Sequence, residues 1–191
     1  GDDEPIEYMD PLEPRTPEYL IAVSKTFAVG TATSVDGFHV MHFSHMHPDL
    51  LTAVCTLFTM MEGTGLLPFP MQVLMTILMQ KPANGYRPIG LFSAVYRLRA
   101  RARRPLAKRW EAENQRLYLA SGSFNSAADV VYRQGVKTEN AVGQGRCACK
   151  SLWGLYTFYE TSRLPKLLHR CKVLGFPMQI ARLSARAYRG S

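Results

Sequence analysis

Within these 191 residues no apolar run is long enough to cross a bilayer as a helix, which excludes a membrane-spanning segment of that kind. Cysteine is scarce. Cys55, Cys147, Cys149 and Cys171 are too few and too scattered for the disulfide framework of a small secreted domain, and no signal peptide precedes them. The expected setting is a reducing, intracellular one. No internal repeat recurs, so an array of repeats is excluded. Acid is rare beyond the start of the chain. The first twenty positions hold seven acids (Asp2, Asp3, Glu4, Glu7, Asp10, Glu13, Glu18) against Arg15, leaving 22 basic and 8 acidic residues, net +14, over residues 21–191. A body of that charge attracts polyanions, phosphate backbones above all, although a plain soluble basic surface has the same composition.

What is present suffices for a core. An apolar fraction of 47% over 191 residues supports a folded domain without crosslinks. Residues 1–16 form an acidic, proline-rich lead-in that fits irregular chain. Because the chain opens at Gly1 and closes in "RAYRGS", it reads as a segment of something longer.

From Pro17 the pattern becomes regular. "PEYLIAVSKTFA" starts with proline at a first helical position. A second helix is expected from about Pro48 to Glu62, where Leu50, Leu51, Val54, Leu57, Phe58 and Met61 recur at three-to-four spacing and Gly63 and Gly65 end the run. "MQVLMTILMQKPANGYRPIGLF" reads as strand–turn–strand, with residues 71–80 as the first arm and Asn84-Gly85 as the turn signal. Residues 93–115 are expected to be helical, capped by Ser93 and broken or kinked at Pro105. Ser126-x-x-Asp129 is a capping-box pattern opening a helix to about Val142. "RCACKSLWGL" alternates as a strand. A further helix begins near Ser162 and Pro165 with Leu164, Leu167, Leu168, Cys171 and Leu174 as its stripe; Gly175 caps it, and Pro177 opens another through Tyr188. The element order is α+β, mostly helical with a β-hairpin.

Four constellations invite chemistry. His39, His42, His45 and His47 crowd one stretch, but no fourth ligand from a second element is evident, so the cluster reads as a loop-to-helix junction rather than a zinc site. "RLRARARR", bracketed by Tyr96 and Trp110, spreads arginines over more than one helical face, and such an element is expected to meet solvent or phosphate on most sides. Lys81 and Arg87 flank the hairpin turn. A three-residue loop Ala83-Asn84-Gly85, with Gly85 left-handed, would set Lys81 directly across from Arg87, where an ammonium and a guanidinium together suit a triphosphate. The Met-rich stretch "TLFTMMEGTGLLPFPMQVLMTILM" is either core or an interaction surface, depending on its burial.

The segments "SKTFAVGTATSVDGFHVMHF", "LMQKPANGYRPIGLFSAVYRLRARARRPLAKRWE", "ADVVYRQGVKTENAV" and "SLWGLYTFYETSRLPKLLHRCKVLGFP" occur in the order found in reverse transcriptases of the non-LTR retrotransposon kind, and the chain resembles the divergent copies of dinoflagellate genomes. The resemblance implies the fingers and the first part of the palm of a right-hand polymerase fold, with residues 17–145 fingers-like and 146–191 the start of the palm. It implies template–primer RNA or DNA and a deoxynucleoside triphosphate as partners, no membrane, and a nuclear setting if the chain is retroelement-derived. Lys81, Arg87 and Tyr159 would contact the nucleotide, and Arg97, Arg101, Arg104 and Lys108 the nucleic-acid phosphates. The family's first palm motif places a magnesium-binding Asp where this chain has Gly154, with Phe158, Tyr159 and Glu160 keeping the rest of the motif. No aromatic-x-Asp-Asp follows, and the sole Asp-Asp is Asp2-Asp3. Two-metal phosphoryl transfer needs those carboxylates, so the Mg2+ that the family implies has no ligands in this chain. The expectation is an inactive, degenerate polymerase fragment that binds nucleic acid or nucleotide. Two alternatives stand beside it: a basic binding module without enzymatic history in use, and an interaction domain built on the Met-rich surface.

Overall fold

The structure is a computed structural model describing residues 12–82, 84–115, 126–149 and 163–189. Its helices are α1 (Pro17–Ser24), α2 (Pro48–Thr64), α3 (Phe69–Gln72), α4 (Ala94–Glu113), α5 (Ala127–Gly143), α6 (Leu164–Val173) and α7 (Met178–Arg189), with a 3-10 helix at Val40–His45. The strands β1 (Met75–Gln80) and β2 (Tyr86–Leu91) pair antiparallel. With 61% of the described residues helical and one two-stranded hairpin among them, the chain is α+β in the coarse sense. It divides into two compact units, residues 1–105 with 164–191, and residues 106–163.

The first unit holds the core. Leu20 of α1, Val40 and Phe43 of the 3-10 helix, Leu51, Phe58 and Met61 of α2, Leu98 of α4 and Leu183 of α7 are buried in one cluster. Small residues at Ala181, Ala185 and Ala187 of α7 are buried with Leu183, which lets neighbouring backbones approach closely.

Local chemistry explains most helix ends. Thr16 caps α1 by accepting from the Tyr19 N–H. The helix stops at Ser24, short of the expected Ala28. The Ser24 and Thr26 hydroxyls donate to the Ile21 and Val23 carbonyls at 2.8 and 2.7 Å, and the backbone tightens into i→i+3 bonds that bring Phe27 into the core. For α2, the His47 ring caps the start, Pro48 opens the first turn, and Gly65 at φ 66° caps the end after Thr64, two residues beyond the expected Glu62. At α6 the Phe176 N–H reaches the Cys171 carbonyl at 2.9 Å across left-handed Gly175.

The hairpin forms, with two corrections. Residues 69–72 are helical, so the first arm begins at Met75 rather than residue 71. Arg87 lies opposite Met79, and the Lys81 N–H closes the loop on the Gly85 carbonyl at 2.9 Å, so Lys81 is not directly across from Arg87. The expected loop would have left Pro82 in a closing pair that needs an N–H; moving the turn puts Pro82 inside the loop and leaves Lys81 to donate. Asn84 and Gly85 both take positive φ, 75° and 87°. Strand parity still sets Lys81 and Arg87 on one face as diagonal neighbours, about 7–8 Å apart.

Helix α4 has two caps at its start. The Ser93 hydroxyl accepts from the Tyr96 N–H at 3.4 Å, and Asp36 Oδ2, from a distant loop, accepts from the Ala94 N–H at 2.7 Å. The helix continues through Pro105, which deletes one i→i−4 bond, and the border between the units falls there.

In the second unit the Ser126–Asp129 capping box is complete, and Val131 and Tyr132 of α5 are 71% and 73% exposed. Residues 146–149 carry no regular structure, and the rest of the expected strand lies outside the described residues.

Candidate nucleic-acid interface

The period of α4 sorts its arginines into two sets. Tyr96, Leu98, Arg99, Ala102 and Arg103 are buried, while Arg97, Arg101 and Arg104, at i, i+4 and i+7, run along another side. Arg97 and Arg101 are half-buried and Arg104 is exposed.

The buried set corrects the expectation that the helix meets solvent or phosphate on most sides. Arg99 and Arg103 are 1% and 3% exposed, and both turn onto Glu62 of α2. Arg99 Nε donates to Glu62 Oε1 at 3.1 Å, Arg103 Nε to the same oxygen at 2.8 Å, and Arg103 Nη2 to Oε2. Backbone carbonyls take further donors: Arg103 Nη1 reaches Glu13 at 2.9 Å and Arg99 Nη2 reaches Gln179 at 3.4 Å. Burial pushes the Arg99 guanidinium below its ordinary range, and the Glu62 charge pulls it back. The sequence did carry a signal for this arrangement. Glu62 is the only acid between Asp49 and Glu111, and it falls at i+11 from Leu51, on the stripe with Cys55 and Phe58.

The outer set has no carboxylate partner among the described residues. Arg101 Cζ stands 4.5 Å from the Phe27 ring centroid and Arg97 Cζ 5.9 Å, so one aromatic ring positions two guanidiniums. Arg97 Nη1 also donates to the Ala32 carbonyl at 2.6 Å. Lys108 and Arg109 are exposed in the second unit. Lys81 and Arg87 are exposed on one face of the hairpin. Tyr159 lies outside the described residues, as do Gly154, Phe158 and Glu160.

Two of the four clustered histidines act as local caps. His39 Nδ1 accepts from the Met41 N–H at the head of the 3-10 helix, and His47 Nδ1 accepts from the Asp49 N–H at the head of α2. Among the described residues no group of three His, Cys, Asp or Glu is placed to hold a metal ion. None of their helices is long and apolar enough to cross a membrane. The four cysteines are free, and burial raises the thiols of Cys55 and Cys171 above their ordinary value.

The Met-rich stretch is split between inside and outside. Phe58, Met61, Leu67 and Met71 are buried, whereas Met60, Phe69, Leu78 and Met79 are 62%, 78%, 61% and 53% exposed. No protein-family model, curated protein or solved structure matches this chain.

Proposed function

We propose that this chain is a nucleic-acid-binding segment of reverse-transcriptase descent, corresponding to fingers and partial palm, that binds phosphate backbones without polymerising. The observation that carries the reading is the outer side of α4: Arg97, Arg101 and Arg104 in one row, two of them against Phe27, with no carboxylate neutralising them among the described residues. Guanidiniums in a row suit successive phosphates, and ordering by an aromatic ring lowers the entropy lost on binding. Lys81 and Arg87, on one exposed face of the hairpin, suit the polyphosphate of a nucleotide. The order of the four sequence segments supports the family. Gly154 argues against activity, because a glycine supplies no carboxylate for a metal.

The test is fluorescence anisotropy with a primer–template duplex over a salt series. Binding that weakens linearly in log–log form with rising salt is expected, and no binding at low salt overturns the reading. Gly154→Asp alone is expected to yield no primer extension by these 191 residues, since they contain no aromatic-x-Asp-Asp. A second reading, an interaction domain, is favoured by one observation, the exposure of Met60, Phe69, Leu78 and Met79.

A further inference from the structure

The two strands of the hairpin present different outer edges. In an antiparallel ladder, bonded and non-bonded pairs alternate. The bond from the Lys81 N–H to the Gly85 carbonyl fixes the phase, making Met79·Arg87, Ile77·Ile89 and Met75·Leu91 the bonded pairs. The backbone groups of Thr76, Leu78 and Gln80 on β1, and of Tyr86, Pro88 and Gly90 on β2, therefore point away from the hairpin. None of them has a backbone partner among the described residues. Pro88, at the middle of the β2 edge, has no N–H to offer and its ring obstructs an incoming strand. The β1 edge has no such guard. Between Glu62 and Lys81 the chain carries no charge, and Ile77, Leu78 and Met79 are 41%, 61% and 53% exposed, so both faces of the strand are open.

We infer that β1 pairs with β1 of a second copy of this chain, joining two hairpins into a four-stranded antiparallel sheet about a two-fold axis at Leu78. Leu78 then faces the partner's Leu78, Thr76 faces the partner's Gln80, and Ile77 faces the partner's Met79, so every outward donor and acceptor of the central residues is met. Lys81 falls opposite the partner's Met75, and no like charges are opposed in two strongly basic chains. The guarded β2 edge ends the sheet on each side, so pairing closes at two copies rather than propagating. An isolated two-stranded hairpin is marginal in water, and two added neighbours give it the strand number an independent sheet needs.

The experiment is sedimentation of the nuclease-treated, nucleic-acid-free chain over a wide concentration range, with amide hydrogen exchange on the same samples. Expected is a rise from the 21.5 kDa monomer to twice that mass and no further. Protection of the Thr76, Leu78 and Gln80 amides should appear with the dimer, while the Ile77 and Met79 amides, bonded within the hairpin, stay protected on dilution. Leu78→Lys, at an exposed position where two like charges would meet, should abolish the dimer, and Tyr86→Lys on the other edge should leave it unchanged. A chain that stays monomeric throughout, as when the edge serves a different protein, overturns the inference. So does mass growing beyond the dimer, a dimer undiminished in Leu78→Lys, or one lost equally in Tyr86→Lys.

Discussion

Two sets of arginines, interleaved along one helix, have opposite fates. On the inner side of α4, Arg99 and Arg103 share the Glu62 carboxylate out of water; on the outer side, Arg97, Arg101 and Arg104 line a surface with a phenylalanine beneath two of them. Residue type, spacing and helix are common to both sets. The difference is the surrounding medium. Two guanidiniums in the interior are tolerated because a carboxylate and two backbone carbonyls absorb their donors, whereas those outside keep most of their donors for water or phosphate. A run of positive charge is thus no measure of binding surface until its internal partners are known.

The harshest way to break the comparison is to remove the shared carboxylate. Glu62→Ala leaves two buried guanidiniums without a counter-charge and should destabilise the fold by about 3–5 kcal/mol, read as a lower urea midpoint. Removing one inner arginine is gentler. Arg99→Met keeps one guanidinium on Glu62 and should cost about 1.5–3 kcal/mol, with duplex affinity of the folded protein unchanged. Equal losses for Arg99→Met and Glu62→Ala would show that the carboxylate is not shared as described. On the outer side the pattern inverts. Arg104→Ala should change stability by less than about 0.5 kcal/mol while lowering the salt slope of duplex binding by about one unit, and a large stability loss with unchanged binding would merge the two sides.

The smallest effect concerns an acid in the opposite situation, fully exposed on the second unit. The Ser126 hydroxyl, and then its backbone N–H, hold the Asp129 carboxyl below its ordinary value. A carboxyl lowered on folding stabilises above its unfolded pKa, and that contribution is lost as pH falls through the folded value. The first turn of α5 should therefore fray in acid, seen as faster amide exchange there, and Asp129→Asn should remove the pH dependence of that fraying.

Short-range features were legible in the sequence. The Ser126–Asp129 box, Pro48 and Gly65 at the ends of α2, Gly175 after α6 and a hairpin at Asn84-Gly85 are each specified within a few residues, by a hydroxyl and a carboxylate, a fixed φ or a missing Cβ. The hairpin register was less legible. Asn84-Gly85 announced a turn, but the loop position turned on Pro82, whose missing N–H is felt only when strand pairing must close. The stop of α1 at Ser24 rests on hydroxyl-to-carbonyl bonds that compete with the helix and on the burial of Phe27, which no periodicity within α1 records.

By itself the sequence determined where most of the long helices begin, that a hairpin stands before a basic helix, and that the body of the chain is strongly positive. Tertiary structure decided which of those charges stay at the surface and which are buried. Helical period assigns Arg97, Arg101 and Arg104 to one side and leaves Arg99 and Arg103 off it, but it does not say which side faces inward. That choice was made by Glu62, 37 residues before Arg99, because a lone carboxylate on a buried stripe must be paired once water is excluded.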